Sequence, residues 1–108
     1  MQVTPEEPRF RVGDIVRIRE WDDMAGEFGL DSTGDIRCPF SFTTTMRYLC
    51  GQDFRIAKVD TMLYGLCRYH LITIPEGAYV NWDISEEMLC VYEEDINIDI
   101  DMLFELFE

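Results

Sequence analysis

Polar and apolar residues alternate in several short segments of the 108-residue chain, and this alternation predicts a β-rich domain. In residues 15–19, Val16 and Ile18 alternate with Arg17 and Arg19, and this period of two is typical of a half-buried strand. Further strands are predicted at residues 53–59, 63–74, 79–84 and 89–92. Residues 75–77, Pro-Glu-Gly, predict a turn, and we expect the second and third strands to pair as a hairpin.

Short helices are predicted where capping residues flank a helix-length segment. Asp22 is a candidate N-cap and Gly29 a candidate terminating glycine for a helix over residues 22–28. A threonine, Thr43 or Thr44, would begin a second helix that ends before Gly51. Residues 85–89 predict one capped helical turn.

The apolar positions of these elements predict one hydrophobic core. A chain of this length can bury about two thirds of the surface that its unfolded form exposes, which suffices for a single domain. We expect residues 10–108 to form that domain, after a flexible arm over residues 1–9. The predicted core includes Val16, Ile18, Phe54, Ile56, Leu66, Trp82 and Leu89.

The strictest alternation lies near the end of the chain, within an acidic extension that begins at about residue 93. Residues 95–102 place Asp95, Asn97, Asp99 and Asp101 on one face and apolar side chains on the other. As a strand, this segment would hold its polar side chains in a row, about 6.6–6.8 Å apart. Its apolar face would pack on the domain or on a second copy of the chain, so a homodimer is one expected arrangement.

Charge is distributed unevenly along the chain. The 22 acidic and 9 basic residues give a net charge of −13, yet residues 69–108 contain 11 of the acids and no Lys or Arg. Such an anionic region repels nucleic-acid backbones and membrane surfaces, and it attracts basic protein surfaces. The charge pattern therefore predicts a basic protein surface as the partner, with no direct nucleic-acid or membrane binding.

The chain shows no targeting or membrane-spanning signal. No run approaches the ~18 apolar residues of a membrane span, and the first residues lack the pattern of a signal peptide. We therefore expect a cytoplasmic protein whose four cysteines, Cys38, Cys50, Cys67 and Cys90, are buried thiols.

Motifs for catalysis or metal binding are incomplete. Cys67 and His70 have the spacing of two zinc ligands, but a second ligand pair is missing. The alternating acids of residues 95–101 imitate the start of an EF-hand, but Ile100 and Leu106 stand where Gly and Glu are needed. With one histidine and no nucleophile or phosphate-binding motif, we expect no enzyme, no cofactor and no metal site.

Three stretches resemble small, mostly uncharacterised proteins of phages and prophages of gut bacteria. They are a Gly-Asp turn leading into a strand (residues 10–19), residues 46–51, and a Trp-containing strand followed by a helical turn (residues 82–89). The similarity spans about residues 10–92. Some small phage proteins of this size and charge inhibit bacterial defence nucleases, including anti-CRISPR proteins, and the resemblance implies a function of that class.

The layout of the predicted elements resembles a Src-homology-3-like (SH3-like) barrel, which has five or six short strands and a helical turn before a late strand. The expected fold class is therefore mainly β (α+β), a small SH3-like barrel with short helices and an acidic C-terminal strand extension.

The leading hypothesis is a non-enzymatic, phage-derived acidic inhibitor in the cytoplasm of a bacterial host. It would act as a DNA mimic that blocks the basic nucleic-acid-binding channel of a CRISPR effector nuclease. The predicted partner-binding residues are Glu86, Glu87, Glu93, Glu94, Asp95, Asp99, Asp101 and Glu105.

The alternative hypothesis is a peptide-binding SH3-like adaptor domain that uses an aromatic groove. Its candidate residues are Trp21, Phe42, Tyr48, Tyr69, Tyr79 and Trp82. Most of these aromatic residues are expected in the core, because a small barrel has few other large side chains to fill its interior.

Overall fold

The structure is a computed structural model that describes residues 8–92. Residues 1–7, most of the predicted N-terminal arm, lie outside the described residues. The acidic extension from residue 93, with the predicted strand at residues 95–102, lies outside them as well.

A four-stranded antiparallel sheet dominates this α+β domain. Its strands are β1 (Ile15–Ile18), β2 (Asp53–Thr61), β3 (Cys67–Thr73) and β4 (Leu89–Val91), in the spatial order β3-β2-β1-β4. The predicted β2–β3 hairpin is confirmed, with β3 beginning later than expected. Over residues 8–92 the sheet is open, with β3 and β4 at its two edges.

A bulge in β2 decides which side chains of the hairpin face outward. The β2–β3 register shifts between Ile56 and Lys58, so that Ile56 pairs with Leu71 while Lys58 pairs with His70. A bulge adds one residue to one strand and reverses the alternation beyond it. Lys58 and Asp60 therefore share the outer face of the sheet, whereas regular alternation would have placed them on the side of Phe54 and Ile56.

Helix α1 (Trp21–Phe28) follows β1. Its N-cap is Glu20, so the prediction of Asp22 as N-cap is wrong: Asp22 and Asp23 lie in the first turn, where the helix dipole favours acids. Gly29 ends the helix with φ of 78°, a left-handed conformation that glycine adopts without strain. Three 3₁₀ helices complete the structure, at Thr44–Leu49, Leu63–Gly65 and Glu86–Met88.

Two strand predictions are corrected. Residues 63–65 form a 3₁₀ turn at the tip of the hairpin instead of the beginning of β3. Residues 79–84 pair with β3 through two isolated bridges, Tyr79 to Ile72 and Ile84 to Tyr69, and not as a continuous strand. Between these bridges the Trp82 indole N–H donates a hydrogen bond to the Tyr48 hydroxyl, at 2.9 Å. Because its pairing with β3 is not continuous, the segment runs beside the sheet and is not one of its strands.

The core lies between the sheet, α1 and the long connection from α1 to β2. Five of the predicted core residues are buried: Val16, Ile18, Phe54, Ile56 and Leu89. Trp82 is only half-buried and packs against the edge of the core. Leu66 is 39% exposed, which overturns its core assignment, because it lies beyond the end of the paired strands at the hairpin tip.

Candidate functional site

A cleft of about 520 Å³ lies between the β2–β3 hairpin tip and the Glu86–Met88 3₁₀ helix. Its lining residues are Arg9, Tyr64, Gly65, Leu66, Cys67, Glu86 and Glu87, and we call it the tip cleft. Glu86 and Glu87 belong to the predicted partner-binding set. The other six members, Glu93, Glu94, Asp95, Asp99, Asp101 and Glu105, lie outside the described residues.

The acidic wall of the tip cleft is the Glu86–Met88 turn, which is anchored on the core and by hydrogen bonds from Arg19 and Arg9. Met88 and Leu89 are buried, so the 3₁₀ turn is anchored in the core. Arg19 donates hydrogen bonds to both backbone carbonyls of this turn that face it, from its Nη1 to Glu87 (3.0 Å) and from its backbone N–H to Met88 (2.9 Å). The backbone N–H of Arg9 donates to Glu86 Oε1 at 3.3 Å. The backbone that carries both carboxylates is therefore fixed.

The opposite wall displays an exposed aromatic side chain. Tyr64 has φ of 65° and Gly65 φ of 76°, so two consecutive left-handed residues reverse the chain. Positive φ is uncommon for a bulky residue such as tyrosine. The Tyr64 side chain is 96% exposed, and Leu66 lies beside it. The tip was not predicted, because residues 63–74 were expected to form one strand. Gly65 within that run was the one sequence signal of an irregularity.

Most acids near the middle of the sheet are matched by arginines. Arg17 Nε lies 2.7 Å from Asp53 Oδ1, and Arg19 contacts Asp23 and Glu27 at 2.8 and 2.6 Å. Residues 8–92 contain 13 acids and all 9 bases, whereas residues 93–108 contain 7 acids and no base. The uncompensated charge of the chain is therefore concentrated after β4.

Asp60 is the centre of an ion network on the outer face of the hairpin. His70 Nε2 lies 2.7 Å and Arg68 Nη2 3.2 Å from Asp60 Oδ2, and Lys58 Nζ lies 3.5 Å from Oδ1. Hydrogen bonds from His70 and then Arg68 lower the pKa of Asp60 to about 2. Arg68 also reaches Asp83 at 3.5 Å, which ties β3 to the segment beside it. The network is an ion-pair cluster that joins neighbouring elements.

The aromatic residues of the alternative site divide into core and surface. Phe42 and Tyr69 are fully buried, and Trp21 is half-buried under the Arg47 guanidinium, 5.0 Å from its ring. Tyr48 and Tyr79 are 61% and 70% exposed. Tyr48 accepts a hydrogen bond from the indole of the half-buried Trp82, and Tyr79 lines a cleft together with Trp82. Three of the six predicted aromatic residues thus form an exposed aromatic surface, defined here as Tyr48, Tyr79 and Trp82.

All four cysteines are free thiols. Only Cys38 is fully buried, so the prediction of four buried thiols is wrong for the other three, which are half-buried. Burial raises the pKa of the Cys38, Cys50 and Cys90 thiols, which favours the protonated form.

In residues 8–92, no three side chains of His, Cys, Asp or Glu come together as a group that could hold a metal ion. No helix in that range has both the length and the apolar character needed to cross a bilayer. No protein-family model, curated protein or solved structure matches the chain at a significant level.

Proposed function

We propose that the protein is a non-enzymatic, phage-derived inhibitor that binds the basic nucleic-acid-binding channel of a host defence nuclease, a CRISPR effector, as a DNA mimic. The observation that carries this proposal is the separation of charge along the chain. Arg17, Arg19 and Arg68 form ion pairs with acids of the sheet and of α1, whereas seven acids without a base follow β4.

Carboxylates suit such a channel because it binds nucleic acid mainly through Lys and Arg contacts to phosphates. A carboxylate offers an arginine the same bidentate acceptor geometry as a phosphate. Glu86 and Glu87 add two carboxylates on a fixed turn. Arg9 lines both the tip cleft and a neighbouring cleft that contains Val91, the last residue of β4.

As part of the same proposal, the domain is an SH3-like barrel. Two features support this fold. The Glu86–Met88 3₁₀ helix immediately precedes β4, and residues 79–84 lie along β3 in the position of a further strand.

Charge reversal on the extension tests the DNA-mimic function. We expect the double variant Asp99→Lys and Asp101→Lys to lose inhibition of target-DNA cleavage by a guide-loaded effector, because it reverses charges that would contact the basic channel. The matched control is Asp22→Lys with Glu76→Lys, two exposed acids outside the predicted site that change the net charge equally. Circular dichroism should show both variants folded. If the control loses inhibition to the same degree, overall charge rather than the extension is responsible.

A second candidate function is peptide binding by the exposed aromatic surface. The specific observation that favours it is the Trp82–Tyr48 hydrogen bond, which fixes a half-buried indole beside an exposed tyrosine, while the exposed Tyr79 lines the same cleft as Trp82. Aromatic side chains held in this way are typical of grooves that bind extended peptides. This candidate and the DNA-mimic proposal differ in the response to salt that each predicts for partner binding.

A further inference from the structure

We infer that the tip cleft is a binding site for an arginine side chain of the partner protein. This inference rests on the proposed function, since it names the group of the basic surface that the described domain recognises. The site would combine an aromatic ring and an apolar side chain from the hairpin tip with two carboxylates from the 3₁₀ turn.

The shape of the tip cleft fits a long side chain with its neighbouring backbone. Its volume of about 520 Å³ lies within the range of about 300–1,000 Å³ that is usual for binding sites. Leu66, 39% exposed, offers an apolar surface for the methylene groups of an arginine. Tyr64, 96% exposed, offers a ring face on which a guanidinium can stack.

The charges of the tip cleft favour a cation. Over residues 8–92, neither the Glu86 nor the Glu87 carboxylate forms a salt bridge, in contrast to the acids of the sheet. Arg9 supplies the one positive charge among the lining residues, and its guanidinium lies over the Phe10 ring, 5.0 Å from the centroid. The lining therefore contains two glutamates and a single arginine, whose guanidinium already has an aromatic partner.

Arginine fits this lining better than lysine does. Its planar guanidinium can stack on an aromatic face while donating hydrogen bonds to carboxylates in its own plane. A lysine ammonium is a compact, strongly hydrated charge that does not stack in this way. The site would thus distinguish an arginine-rich channel from a surface that is merely positive.

A small probe tests the site in the intact chain. We would titrate the ¹⁵N-labelled protein with N-acetyl-arginine methylamide and with the citrulline analogue, whose neutral urea group has nearly the same shape. Saturable NMR shifts at the amides of residues 64–67 and 86–87 are expected with arginine, with binding about tenfold weaker for citrulline because the charge-assisted hydrogen bonds are lost. Equal binding of both probes, or shifts confined to other residues, would overturn the inference.

Variants identify the groups that bind the probe. In the double variant Glu86→Gln with Glu87→Gln, the amide oxygen of the glutamine at position 86 can still accept the Arg9 backbone hydrogen bond, and we expect the preference for arginine over citrulline to be abolished. Tyr64→Ala should weaken arginine binding several-fold through loss of stacking. The control Glu76→Gln removes an exposed acid outside the cleft and should leave probe binding unchanged. A double glutamine variant that still prefers arginine would exclude these carboxylates as the ligands.

Failure of this inference can be told apart from failure of the proposed function. If the arginine probe does not bind while Asp99→Lys with Asp101→Lys abolishes inhibition, the DNA-mimic proposal stands and the arginine site is wrong. If the probe binds as expected while the reversal has no effect on inhibition, the arginine site stands and the role of the extension is wrong.

Discussion

At the scale of single residues, Asp60 shows how the sheet uses its few bases. One carboxylate accepts hydrogen bonds from His70 and Arg68 and lies close to Lys58, and its pKa falls to about 2. The unfolded chain would titrate this group near the ordinary value of about 3.9. Because the folded pKa is the lower one, the network stabilises the fold fully above the unfolded pKa and loses this contribution as the pH falls toward 2.

We therefore expect Asp60→Asn to reduce the acid sensitivity of folding. The parent should lose stability between about pH 4 and pH 2, partly because Asp60 becomes protonated. The variant has no carboxylate at position 60, so this part of the loss is absent from it. Unfolding temperatures measured by circular dichroism from pH 2 to pH 7 should show a smaller difference between parent and variant at pH 2 than at pH 7. Asp22→Asn, in an acid outside any ion pair of residues 8–92, is the control. A parent–variant difference that is constant over this pH range would contradict the prediction.

At the scale of elements, Arg19 joins β1 to both α1 and the acidic turn. Its guanidinium contacts Asp23 and Glu27 of α1 and the Glu87 carbonyl, and it lies over the Phe28 ring at 5.4 Å. The Arg19 side chain is only 15% exposed, so these hydrogen bonds are partly shielded from water. One residue therefore positions a helix on the sheet and one wall of the tip cleft.

Replacing Arg19 should loosen both attachments. We expect Arg19→Met to lower the free energy of unfolding by about 1–2 kcal/mol, since the Glu87 carbonyl loses its donor while Asp23 and Glu27 stay solvated. Urea denaturation followed by circular dichroism measures this change. Arg37→Met, in an exposed arginine outside the ion pairs of residues 8–92, should change stability by less than about 0.5 kcal/mol. Equal effects of the two variants would refute this role for Arg19.

Elements with a strong local signal could be predicted from the sequence, and those set by tertiary contacts could not. Val16 and Ile18 alternate strictly, and Gly29 ends α1 as its conformational freedom predicts. The tip at Tyr64 and the bulge after Ile56 instead depend on how β2 meets β3. Trp82 was predicted as a core residue of a strand, but it is only half-buried, and its indole N–H donates a hydrogen bond to the exposed Tyr48.

At the scale of the whole molecule, charge separation distinguishes the two candidate functions. Binding guided by unpaired carboxylates weakens as salt screens them, because the screening length shortens to about 8–10 Å near physiological ionic strength. Binding by the exposed aromatic surface depends mainly on buried apolar area and should respond little.

We expect association with the effector to slow markedly when salt rises from about 50 to 200 mM. Stopped-flow or surface-plasmon measurements of the on-rate test this. The on-rate of the Asp99→Lys and Asp101→Lys variant should depend less on salt than that of the parent, and the variant therefore serves as the comparison. An on-rate of the parent that does not change with salt would favour the aromatic surface.

The candidate site was only partly predictable, because acidic residues are visible in a sequence whereas a cleft depends on tertiary contacts. The acids Glu86 and Glu87 were identified from the sequence. Their neighbour Tyr64 was not, since Tyr64 and Glu86 are 22 positions apart in the sequence and meet only through the hairpin and the anchored turn.

The position of β1 at the centre of the sheet has a consequence for the order in which the protein folds. Val16 pairs with Phe54 on one side and with Val91 on the other, so every ladder contact of β1 closes a long loop, whereas β2 and β3 are joined by a short one. Long loops are slow to close, and folding slows as non-local pairing grows. The β2–β3 hairpin is therefore the part of the sheet that can form on the ribosome by local contacts alone. β1, the first of these four strands to be synthesised, must wait for β4 before its second edge is covered.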